Sequence, residues 1–282
     1  MSQALLQTKK RMRSVESISK ITRAMKLVST VKLKSQMKKM TNNRVYANEL
    51  IKVVNDVFAC GDDTENKYSV VHDSDKKLFI IITSTLGLCG AYNYNIFRFV
   101  DQMVLEKDDV IIFGEKGWSH YQNSSFNKLN EYRSFASQAN ESVINNLSNY
   151  IIDIYQSKKY RQINLVYTEY KNSISFAPKT LTILPIENIC KNDKKVLLGP
   201  ILEPSQKAVI ESIIPIYVAS NLYAKFIESE VSEQASRRNA MENSTDNANE
   251  LYEHLKLEYN KARQASITQE IIEVVGAAKS NQ

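Results

Sequence analysis

Glycine and proline are scarce in this chain of 282 residues, which holds seven of the first and five of the second. Both are missing from a long stretch at each end. The first glycine is Gly61 and the first proline Pro178, while no breaker separates Pro215 from Gly276. In a helix interior glycine costs about 1 kcal/mol relative to alanine, and proline about 3. Two uninterrupted helices of roughly sixty residues are therefore permitted, each able to span about 90 Å. A helix that long cannot lie in its own chain's core. It is a rod, suited to reaching or transmitting.

Other shortages exclude whole classes of function. Cys60, Cys89 and Cys190 are odd in number and widely spaced, which gives no disulfide framework, zinc site or redox pair, and they read as buried thiols in a reducing compartment. The histidines, His72, His120 and His254, stand apart from one another and from any cysteine. The longest apolar run, around Leu78–Ile82, is too short to span a bilayer. The polar, basic N-terminal segment lacks the apolar stretch of a signal peptide. No Gly-x-Ser-x-Gly elbow and no His-Glu-x-x-His occur. Asp62-Asp63 and Asp108-Asp109 read as solvated turns. No catalytic constellation, metal site or cofactor is expected.

What is present is uneven. Residues 1–58 carry thirteen Lys/Arg against three acids, while residues 216–282 carry seven against ten, so the two ends bear opposite charge. Opposite charge favours their pairing at low salt. In the first stretch Ile18, Ile21, Met25 and Val28 follow the 3-4-3 spacing of a coiled-coil seam. The seam frays through Lys32–Met40 and returns at Ala47, Leu50, Val54 and Val57. In the last stretch a seam runs through Ala248, Leu251, Leu255, Tyr259 and Ala262, then Ile267, Ile271, Val274 and Ala278. Between Ser229 and Asn247 the residues are small or polar, which suggests faces made for something other than the opposite helix.

The middle alternates short apolar runs with helical patterns. Strands are expected at Leu78–Ser84, Val110–Phe113, Ile163–Tyr170 and Thr180–Leu184, with helices over Ala91–Leu105 and near Gln138–Tyr155. That order indicates a small, Rossmann-like α/β domain with a largely parallel sheet. The expected organisation is an N-terminal coiled-coil helix (1–58), an α/β base domain (75–187), a connecting loop (188–207) and a C-terminal coiled-coil helix (208–282). The two rods pair antiparallel around the inserted domain. Gly87-x-x-Gly90 stands between a strand and a helix, as a phosphate loop would, but lacks the third glycine and any Gly-Lys-Ser/Thr. A tight turn is the expected reading.

Three motifs are more specific. Lys20-Ile21-Thr22-Arg23-Ala24-Met25-Lys26-Leu27-Val28 lies in the first rod. Thr83-Ser84-x-x-Gly87-Leu88-Cys89-Gly90-x-Tyr92-Asn93 ends the first central strand. The last rod carries Ser232-Glu233-Gln234-Ala235, Thr245-Asp246-Asn247-Ala248 and the run from Tyr259 to Ile271. Together they resemble the gamma subunits of F-type ATP synthases, over essentially the whole length. The resemblance implies a non-catalytic rotor shaft that turns within a ring of three alpha and three beta subunits. Its partners would be that ring, the epsilon subunit and the proton-driven membrane c-ring, so the membrane is met only through partners, at the cytoplasmic side of the cell membrane. By motif position Arg23, Met25 and Lys26 would meet an acidic beta segment. Arg263, Gln264 and Thr268 would grip alpha and beta loops, while Gly87 and Gly90 would shape a structural turn.

Some residues depart from the family pattern: Thr85 and Leu86, Ala91, Thr30-Val31 and Arg238-Asn239. They keep open a gamma-like subunit of a paralogous rotary ATPase. The basic first rod also keeps a nucleic-acid-binding helical hairpin as the alternative of another class, although nucleic acid is not expected as a partner.

Overall fold

A computed structural model describes residues 3–59, 67–129, 141–186 and 201–280. Helix α1 runs unbroken over Gln3–Ala59, and α5 over Gln206–Ser280. Between them come β1 (Lys77–Ile82), α2 (Tyr92–Asp101), β2 (Asp109–Phe113), α3 (Glu115–His120), β3 (Asn127–Lys128), α4 (Glu141–Gln156), β4 (Gln162–Tyr170) and β5 (Phe176–Leu184). The sequence pattern anticipates neither α3 nor β3, each of which is too short to show a period. Most of the expected connecting loop, Cys60, Cys190 and Asp62-Asp63 lie outside the described residues. Contacts group the chain into two units, Val31–Ser236 and Met1–Thr30 with Arg237–Gln282.

The larger unit is built on a five-stranded sheet in the order β3-β2-β1-β4-β5. Strands β1 to β4 are parallel, and β5 returns antiparallel on β4. Strands β1 and β2 are buried on both faces, hence their continuous apolar runs. Alternate residues divide the core. Leu78, Ile80 and Ile82 face α4 and the first turns of α5, packing with Ile144, Leu147, Ile151, Ile214, Val218 and Leu222. Phe79 and Ile81 face α2, packing with Tyr92, Ile96 and Val100. Asp108 and Asp109 are buried, not in the solvated turn expected from the sequence: at the N-terminal edge of β2 the Asp109 carboxylate accepts hydrogen bonds from Tyr160 and Asn127 and lies 3.2 Å from Lys159 Nζ. Burial alone would raise its pKa, but those partners hold it below the ordinary range.

In this unit α1 meets α5 at Leu33, which clusters with Ile227, Val231 and Ala235, and Val54 and Val57 are buried further along. Between Leu33 and Val54 no α1 residue is buried, so the expected seam at Ala47 and Leu50 is only half closed. A cleft of about 700 Å³ opens there, with Asn43 and Tyr46 on one wall and Asn145, Asn149, Pro215 and Tyr223 on the others.

Candidate partner-contact surface

The smaller unit pairs the first turns of α1 with the last part of α5. Ser19 Oγ donates to Asn249 Oδ1 at 2.7 Å, Thr245 Oγ1 contacts Thr22 Oγ1 at 2.7 Å, and Lys26 Nζ reaches Glu242 Oε1 at 2.7 Å. Numbers rise on one helix as they fall on the other, so the pairing is antiparallel. The Thr22 hydroxyl donates to the Ser19 carbonyl and accepts from Thr245. Val15, Ala248 and Leu255 supply a small apolar cluster at one end. The buried face of α1 therefore carries Val15, Ser19, Thr22 and Ser29.

This corrects the expected seam. Ile18, Ile21, Met25 and Val28 are 51%, 58%, 39% and 56% exposed. Neighbouring residues are separated by about 100° around a helix, and the apolar stripe lies roughly that far from the face used for pairing. Spacing found a true stripe but could not say what covers it. In α5 Ala248 and Leu255 are buried as expected, whereas Leu251, Ile267, Ile271 and Val274 are exposed. The signal for the real seam was Ser19, Thr22 and Ser29 at helical spacing, paired with Thr245 and Asn249.

Arg23 and Met25 are both exposed, but two residues apart on a helix they point to opposite sides of the pairing face, and Lys26 is tied to Glu242. Lys26 holds the Glu242 carboxyl below its ordinary value, first by hydrogen bonding and then by charge. Arg263 and Gln264 are exposed, and Thr268 Oγ1 donates to the Gln264 carbonyl at 3.0 Å. Glu242, the partner of Lys26, and Arg263 are separated by twenty-one residues of α5, about 32 Å along a helix. The two predicted groups therefore do not converge on one site.

Gly87 and Gly90 lie in the turn between β1 and α2, where Leu88 and Gly90 take positive φ of 61° and 57°. Asn93 braces the turn, its Oδ1 accepting from Ser84 N at 3.1 Å and its Nδ2 donating to Ser84 Oγ at 2.7 Å. The turn meets α5, because Ser236 Oγ donates to the Cys89 carbonyl at 2.6 Å. Ser229 Oγ accepts from the Thr168 amide at 3.1 Å, and Ser232 Oγ donates to the Thr168 carbonyl at 3.2 Å. These small residues do face something other than the opposite helix, but it is the chain's own strand and turn, where they are buried. Their size lets the helix backbone approach the strand closely.

Two of the histidines serve packing and the third lies on the surface. His72 lies on Tyr155, and His120 stacks on Phe97 at 3.9 Å. His254 lies 3.6 Å from Glu258. Among the described residues no three His, Cys, Asp or Glu side chains converge as a metal would require. None of the described helices is long and apolar enough to cross a membrane.

Comparison with known proteins places these features in context. A family profile described as ATP synthase matches residues 4–280. The ATP synthase gamma chain of Mycoplasma capricolum is 35% identical over 267 residues, covering 95% of each chain. A chain in a structure of the Tetrahymena thermophila mitochondrial ATP synthase central stalk and c-ring is 27% identical, with a TM-score of 0.59, over 79% of this chain and 98% of that one. A chain of the Euglena gracilis mitochondrial ATP synthase shares the fold at a TM-score of 0.70, with 20% identity over 98% of this chain and 94% of its own.

Proposed function

Since the chain belongs to the ATP synthase gamma family, we propose that its exposed apolar stripe and basic face are the surfaces by which a non-catalytic shaft engages its sleeve. The protein is the central-stalk rotor subunit of the synthase. It transmits torque between the membrane ring and the catalytic ring of alpha and beta subunits, with epsilon as a further partner. Binding to alpha and beta, not covalent chemistry, is its contribution.

The observation carrying this reading is the split between pairing face and open face. Hydroxyls join the two helices, while Ile18, Ile21, Leu27, Val28 and Val31 are left between 51% and 70% exposed. A self-sufficient coiled coil would bury its best apolar stripe. Leaving it open costs little when a surrounding ring supplies the cover. Around the stripe the excess of Lys and Arg suits an acidic sleeve, because charge attraction is long-ranged and tolerates sliding. Arg23, Met25 and Lys26 form one contact patch in this reading, and Arg263, Gln264 and Thr268 a second, deeper one. Torque arises when those contacts favour one beta conformation over another. Placement is peripheral, on the cytoplasmic side of the cell membrane, held there through partners.

Native mass spectrometry of the tagged protein recovered from its own cells tests the assignment. One copy with three alpha, three beta and one epsilon is the expected mass. Recovery alone or with nucleic acid would overturn it.

A further inference from the structure

Doubly wound sheets bind ligands in the crevice at the carboxyl ends of two neighbouring parallel strands, where the chain's connections depart in opposite directions. In this sheet that crevice lies between β1 and β4. The connection after β1 passes through α2 on one face, and the one before β4 passes through α4 on the other. Strand β1 pairs with β4 only as far as Ile81 opposite Val166. Beyond it Thr83 turns to β2, its amide donating to the Phe113 carbonyl. Strand β4 continues to Tyr170, with main-chain groups on its β1 side that no strand among the described residues takes.

Helix α5 takes them instead. The Thr168 amide donates to Ser229 Oγ, the Thr168 carbonyl accepts from Ser232 Oγ, and the Tyr170 amide donates to Glu228 Oε1 at 3.2 Å. Ser236 then closes the other side of the crevice through the Cys89 carbonyl, which the left-handed Leu88 and Gly90 present to it. Ser229 and Ser232 are fully buried and Ser236 nearly so. Their spacing of three and four residues puts all three on one helix face. Lys225 holds Glu228 from the other side, with Nζ 2.9 Å from Oε2.

We infer that Ser229, Ser232 and Ser236 form a hydroxyl clamp in which α5 fills the ligand crevice of the sheet, substituting side chains for the strand that β1 vacates. The clamp positions α5 for torque transfer, an inference that rests on the rotor reading. Apolar packing of α5 further back, at Ile210 to Phe226, resists separation but is non-directional. Hydrogen bonds to main-chain groups on both sides of the crevice fix the roll and register of the helix. The Gly87-x-x-Gly90 turn thus serves the helix where a nucleotide enzyme would hold a phosphate.

Two measurements test it. In the full chain, hydrogen exchange at the Thr168 amide should accelerate in Ser229→Ala and at residues 86–92 in Ser236→Ala. Unchanged protection would remove the contacts. In the assembled synthase, a probe fixed to the α/β domain of the Ser232→Ala/Ser236→Ala double variant should show wider angular fluctuation at a catalytic dwell. ATP hydrolysis per ring should be unchanged. Tyr155→Phe, which removes only a bond within the domain to the Val70 carbonyl, should lower stability without widening the fluctuation. Equal widths in the double variant and wild type would overturn the positioning role, whatever happens to melting temperature. A wild-type chain that fails to turn in the ring would instead overturn the rotor reading, and the exchange result would still decide the clamp.

Discussion

At Thr22 and Thr245 two hydroxyls meet where a coiled coil usually places branched aliphatic side chains. Thr245→Val leaves the Thr22 oxygen without its donor and should cost about 1–2 kcal/mol. Replacing both threonines by valine removes both polar partners, so the double variant should be less destabilised than the sum of the singles. Urea denaturation of the four proteins reads the difference, and strict additivity would remove the pair. Glu242 gives a pH signature. Lys26 lowers its folded pKa below the ordinary 4.5, so its stabilising contribution is present above that pH and fades as pH falls through the folded value. The gap in melting temperature between wild type and Glu242→Gln should therefore close on acidification. A gap constant down to pH 3 would remove the linkage.

Among the elements, the turn from β2 into α3 leaves no room at Gly114. Gly114 has φ of 103°, and a Cβ there would stand 2.4 Å from the Thr83 carbonyl oxygen. Gly114→Ala should cost about 3 kcal/mol or more, seen as a lower midpoint with an unchanged slope. An equal midpoint would mean that the turn relaxes freely. Element types were legible because length and breakers speak plainly: the long helices from missing glycine and proline, β1 and β2 from continuous apolar runs. The pairing face of α1 was hidden, since hydropathy marks where apolar residues cluster and the helix pairs through serine and threonine instead. Ser229, Ser232 and Ser236 were visible as small residues, but whether they faced outward or toward β4 depended on where β1 stops, which no local pattern encodes. Predicted contact residues such as Arg263 came from motif likeness, and the fold adds only that they are exposed.

For the whole molecule, the proposed coupling depends on surfaces that the isolated chain leaves open. Arg263→Ala or Gln264→Ala should weaken assembly with alpha and beta or slow turnover, with an unchanged circular-dichroism spectrum and melting temperature. Wild-type assembly and hydrolysis in both would show that the second patch lies elsewhere. The hydroxyl seam between α1 and α5 has one more consequence, in heat capacity. Exposing apolar surface raises the heat capacity of unfolding and exposing polar surface lowers it, and this seam buries both kinds, with Val15 and Leu255 beside Ser19, Thr22 and Thr245. The two contributions oppose each other, so separating these helices changes heat capacity less than opening a leucine seam of equal area. Apolar contacts loosen on cooling, so a seam that relies on them only in part should lose less of its strength in the cold than a leucine seam of equal area.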